Sequence, residues 1–121
     1  MLQLLDSTPV TVTQIRLSTS GDPVLSAVLK YTQDGWPANA NLPVEFRPYQ
    51  QRIGELNCQD GCVLWGGRIV IPPQGREKML RLLHDGHLGE GRTKAFARAY
   101  MWWPRMDDDI VYTRSEQLSN M

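Results

Sequence analysis

The chain's two histidines, His84 and His87, stand two residues apart in "LLHDGHLGEG". A structural zinc ion takes four nitrogen or sulfur donors in a closed tetrahedron. This spacing lets both rings face one ion, but His-x-x-His supplies only half of such a site. It fits equally a helix-end histidine followed by a loop histidine. Cys58 and Cys62 flank the "QDG" turn in a Cys-x3-Cys spacing that a zinc knuckle can use. They read as well as two hairpin cysteines, one of them buried. As substitute zinc ligands they are disfavoured, because the strands carrying them would have to fold down onto the histidines. A Cys–His nucleophile pair is available in composition, but no local motif supports it.

Phosphate contact is the second chemistry on offer. "GRTKAFAR" carries Arg92, Lys94 and Arg98, and Lys94 and Arg98 stand four apart, as neighbours on a helix. The three can meet a nucleic-acid backbone, or they can form a solvated helix face. Asp107, Asp108 and Asp109 are adjacent, so on a helix they point different ways. They suit a helix N-terminus, where the dipole favours negative charge, better than a metal site. In "MWWP", Trp102 and Trp103 offer large apolar area. At least one belongs in a core against Met79 to Leu83, and a stacking platform for bases is the rarer use.

The elements that position these residues follow from local signals. Thr11 with Gln14 fits a capping box and Gly21 a stop, giving a helix from about Val12 to Ser18. Asp22 can cap a second helix with Pro23 at its first position. Val24, Leu25, Val28, Leu29 and Tyr31 supply its apolar stripe, and Gly35 and Pro37 end it. "PANANLPVEFRPYQQR" reads as a linker with a short helix around Glu45 to Gln51. The turns Asp60-Gly61 and Gly66-Gly67 bound the β-rich runs "CVLW" and "RIVIP", which predicts an antiparallel sheet of two or three strands. "PQGREKMLRLLHDGH" is amphipathic, with Met79, Leu80, Leu83 and His84 on one face and Arg76, Lys78 and Arg81 turned to water. Gly86 ends it before His87. A further helix, with Phe96 stacked on Tyr100, runs to the break at Pro104. The segment from Met106 is read as a last helix whose polar end frays.

The stretch "LLHDGHLGEGRTKAFARAYMWWPRMDDDI" resembles the zinc-binding domain of integrases from gypsy-type LTR retrotransposons. The carrying residues are His84, Gly86, His87, Gly89, Arg92, Lys94, Arg98, Trp102, Trp103, Pro104, Met106, Asp107, Asp109 and Ile110. "QDGCVLWGGRIVIPP" is similar to the small sheet preceding that domain, and "DPVLSAVLKYTQDGWP" to the helical connector before it. The resemblance spans roughly residues 9 to 110. It implies a His-His-Cys-Cys zinc site, and a role in binding DNA ends and in multimerisation. It also implies that strand-transfer chemistry belongs to a separate Asp-Asp-Glu core, so no catalysis is expected of this chain. The implied cysteines would fall near Gln117 and Asn120, where this chain reads "VYTRSEQLSN". Truncation, altered splicing or decay of the element would produce that break, and it leaves zinc with an incomplete site.

The whole chain has 121 residues and formal net charge zero, with uneven spread. Residues 1 to 67 carry four basic and six acidic groups, net −2; residues 68 to 105 carry eight and three, net +5; residues 106 to 121 carry one and four, net −3. A basic centre suits a polyanion. No window approaches the ~20 apolar residues of a membrane span, and the start lacks a signal-peptide pattern. The expected location is intracellular, nucleus or cytoplasm. The expected fold is α+β: N-terminal helices, a small antiparallel β-sheet and a C-terminal helical zinc-domain-like bundle. Residues 1–37 form the connector, 38–54 the linker, and 55–121 the sheet with the zinc-binding-like helices. DNA and a second copy of the chain are the expected partners, with no membrane and no small-molecule substrate. The rival reading is a metal-free protein-interaction remnant without DNA binding.

Overall fold

The computed structural model describes residues 12–38, 41–85 and 90–119. Thr11, Gly86, His87, Gly89 and Asn120 lie outside them. Two helices come first, α1 (Val12–Gly21) and α2 (Pro23–Asp34). Asp22 caps α2 as its sequence position predicts: its Oδ2 accepts from the Leu25 backbone N–H at 2.9 Å. Gly35 closes the helix at φ 114°, a left-handed conformation that suits glycine, and its N–H donates to Tyr31 O at 2.7 Å. A short helix α3 (Arg47–Gln50) follows, between 3₁₀ turns at Val44–Phe46 and Ile53–Glu55.

Strands β1 (Leu56–Gln59), β2 (Cys62–Trp65) and β3 (Arg68–Val70) then form an antiparallel meander. Its two turns have positive φ at both central residues, Asp60 and Gly61 in one, Gly66 and Gly67 in the other. That geometry matches strand twist, so hairpin turns favour it. The sheet is larger than the sequence predicts. A fourth strand, β4 (Met101–Trp102), lies parallel to β3, with Met101 opposite Ile69 and Trp102 opposite Val70. The helix expected to run to Pro104 therefore stops at Tyr100. Pairing with the open edge of β3 satisfies backbone groups there, and it buries alternate side chains on both faces.

Around the sheet lie α4 (Pro73–Asp85), α5 (Glu90–Tyr100) and α6 (Met106–Ser119). The strand period of two divides the apolar side chains between two cores. Cys62, Leu64, Ile69, Ile71, Met101 and Trp103 join Ile15 of α1, Met79 and Leu83 of α4, and Met106 and Ile110 of α6. Leu56, Val63 and Val70 join Leu25 and Val28 of α2 with Phe46 and Tyr49. Burial on both faces explains why "CVLW" and "RIVI" lack polar alternation.

One charged residue sits differently from expectation. Arg76 is half-buried rather than turned to water. Its Nε donates to Ile71 O at 3.0 Å, and its guanidinium lies 5.9 Å from the Trp103 ring centre. Burial pushes the Tyr49 phenol up from its ordinary pKa, and the Arg76 charge opposes that shift. Phe96 and Tyr100 do stack, with ring centres 4.9 Å apart, and Phe96 remains exposed.

Asp22→Ala removes the side-chain cap of α2. It is expected to lower stability by about 1 kcal/mol, measurable as a reduced urea midpoint at unchanged slope.

Candidate functional site

His84 sits in the last turn of α4, beside Leu83, which is in the first core. It is half-buried, and both of its ring nitrogens are shielded from solvent. His87 lies outside the described residues. Cys58 and Cys62 occupy adjacent strands but opposite faces of the sheet. The Cys58 thiol lies 3.6 Å from Leu29 O of α2. Cys62 is fully buried in the other core, its sulfur 3.9 Å from Asp60 O. Side chains on opposite faces cannot share one ion. Burial raises both thiols above their ordinary pKa, and the Asp60 charge adds to this at Cys62 while Arg16 opposes it. A nucleophilic thiolate needs the reverse shift. Among the described residues no three His, Cys, Asp or Glu side chains gather as a metal site. The donors these residues supply therefore do not fit a closed zinc site.

The three adjacent carboxylates take three different partners. Asp107 pairs with Arg98, Asp108 with Arg105 at 3.4 Å, and Asp109 Oδ2 accepts from Trp103 Nε1 at 2.8 Å. They open α6, where the helix dipole favours them. The last contact ties the buried Trp103 to α6 through the Asp109 side chain, because a buried indole N–H needs an acceptor.

Arg92, Lys94 and Arg98 all lie on α5, but not on one face. At about 100° per residue, Arg92 is roughly 200° round the helix from Lys94. Arg92 is exposed and Lys94 half-buried. Arg98 is exposed and engaged with Asp107, whose hydrogen bond and charge hold its guanidinium above the ordinary arginine pKa.

A second cluster of cations is not apparent in the sequence because its members are scattered. Arg52 lies over Trp65 and Trp102, 4.8 and 4.6 Å from the ring centres, and Arg68 lies 4.9 Å over Trp65. The two tryptophans are themselves 4.9 Å apart, and Tyr49 meets Trp102 edge-on at 5.9 Å. Trp65 Nε1 donates to Glu55 Oε2 at 2.6 Å. The sheet register assembles this group, since Trp65 and Trp102 both project from the α2 side. The available signal was strand alternation in "MWWP", which sends consecutive tryptophans to opposite faces.

Residues 71–113 match the family described as the integrase zinc binding domain. The match ends before positions 117 and 120, where the expected cysteine ligands are absent. An uncharacterized protein of Caenorhabditis elegans, K02A2.6, is 32% identical over 105 residues, which cover 84% of this chain and 8% of that protein. The chain thus spans a small part of the length of this relative. No solved structure matches it.

Trp103→Ala should cost about 3–5 kcal/mol, because it empties a fully buried site and orphans the Asp109 acceptor. Trp102→Ala, at a half-buried position, should cost less. Urea unfolding of both variants checks the order.

Proposed function

From the membership of residues 71–113 in the integrase zinc-binding domain family, we propose that this chain is a non-catalytic N-terminal integrase region of a gypsy-type retrotransposon polyprotein. Its role in the intact element is to help bind DNA and to support multimerisation, and it acts inside the cell. The matched segment supports this reading, and its surroundings are the basic part of the chain, net +5 over residues 68 to 105. Arg92, Lys94 and Arg98 meet backbone phosphates from two flanks of α5. Arg98 does so by exchanging its exposed contact with Asp107 for a phosphate, an exchange that a weak surface ion pair permits.

Zinc has a minor part in this proposal. When bound, zinc would be held by the imidazoles of His84 and His87 and would tie the end of α4 to His87. Two imidazoles without thiolates hold the ion far more weakly than a complete set does. No helix among the described residues is long and apolar enough to cross a membrane, so a lipid partner has no support from this source.

Duplex DNA binding should weaken with salt, with log K falling by about 0.9 per phosphate contacted in each log unit of salt. Arg92→Ala and Lys94→Ala should each weaken binding and flatten that slope, as read by fluorescence anisotropy across a salt series. Binding indifferent to salt and to both changes would replace this reading with a protein-interaction module. Elemental analysis of the purified chain should give well under one zinc per chain. One zinc per chain, lost in His84→Ala/His87→Ala, would show that other ligands complete the site.

A further inference from the structure

A groove of about 290 Å³ opens beside β4, between the tryptophan cluster and the start of α6. Trp65 and Trp102 line it together with Arg68, Arg98 and Arg105, and Asp107 and Asp108 stand among them. Three cations against two carboxylates leave it one positive charge in excess. The cations are of two kinds. Arg68 lies over Trp65, 4.9 Å from the ring centre, and its Nε donates to the backbone carbonyl of Arg98. These two contacts hold its guanidinium in the groove wall. Arg98 and Arg105 are held instead by Asp107 and Asp108, and all four of those side chains are at least 40% exposed. Ion pairs so open to water are weak, so an incoming phosphate can take the arginine from the carboxylate.

We propose that this groove binds a single-stranded polynucleotide. Unstacked bases lie against the wall of indole and guanidinium, and phosphates replace Asp107 and Asp108 on Arg98 and Arg105. The proposal deepens the DNA-contact reading above and rests on it for the class of ligand. Two observations favour a single strand over a duplex. Indole and guanidinium planes hold a base only when its face is free, and in a duplex the faces are stacked inside. The groove also has the size of a nucleotide-scale pocket, not of a surface that straddles two strands. Asp107 and Asp108 act as internal competitors that occupy the arginines until a phosphate arrives.

The test uses the full chain with labelled oligothymidylate and oligouridylate of about twelve nucleotides, and a duplex of the same length. Anisotropy and tryptophan emission are followed at about 50 and about 200 mM salt. Both single strands should bind and quench tryptophan emission. Arg68→Gln/Arg105→Gln should weaken both by roughly tenfold or more, with the duplex changed by less than about threefold. Asp108→Asn should strengthen single-strand binding, a gain that misfolding cannot produce. Single-strand binding unchanged by the double substitution, an absence of quenching, or equal weakening of single strand and duplex would each overturn the groove. Loss of duplex binding in Arg92→Ala and Lys94→Ala reports separately on the basic helix, so the two readings can fail independently.

Discussion

The pairing of β4 with β3 holds this chain together. It is two residues long, and Ile71 N–H donates to Trp102 O at 3.0 Å just beyond the ladder. Its consequences follow from the pleat. With Met101 opposite Ile69 and Trp102 opposite Val70, Met101 and Trp103 enter one core and Trp102 the other. The α5–α6 unit is thereby anchored on both faces of a sheet made largely by an earlier part of the chain. Trp103 then fixes the start of α6 through Asp109, and Trp102 receives Arg52 from the segment after α3. A local run of helix would have satisfied the backbone equally well, but it would have left two large indoles on neighbouring helix positions with only one core to enter.

What could be read in the sequence, and what could not, divides along the same line. The α2 cap, the hairpin turns and the apolar face of α4 depend on residues close in sequence, and local chemistry specifies them. β4 depends on an edge some thirty positions earlier, and nothing in "AYMWWP" announces that edge. The sheet was therefore expected to be smaller and wholly antiparallel. The half-burial of Arg76 has the same origin, because its partners Ile71 O and Trp103 come together only in the folded sheet. At the site, the histidine pair and the basic helix are sequence-local features. The Arg52–Trp65–Arg68–Trp102 group is not, since its members span fifty positions. Sequence placed Cys58 and Cys62 around one turn, yet a spacing of four in an antiparallel hairpin separates them by the sheet itself.

Charge shows how far linear sums mislead. The basic stretch 68 to 105 and the acidic stretch 106 to 121 differ by eight charges, from +5 to −3. A polyanion would seem to face one uniform surface. The fold instead brings the acidic start of α6 onto Arg98 at the end of α5, and Arg105, just before α6, meets Asp108 three residues on. The field near the groove is set by these pairs, not by the totals. Arg92, on the other flank of α5, lies well away round the helix. A ligand that approaches from that side meets a different potential from one that enters beside β4.

The metal question turns on the same architecture. A small zinc domain standing alone has little core, and its ion can supply most of the folding free energy, about 10–16 kcal/mol in isolated finger peptides. This chain has a second source. Trp103, Met79, Leu83, Met106 and Ile110 close α4 and α6 over the sheet, and all are buried. Each such side chain is worth about 1.5–3 kcal/mol, so a handful matches the contribution of an ion. The sheet is itself buried on its far face by α2, Phe46 and Tyr49. Loss of the two cysteine ligands would unfold a bare finger. In this chain both cores, the β3–β4 pairing and the Trp103–Asp109 bond are made without a histidine. A contribution from zinc would therefore add to these contacts rather than stand in for them.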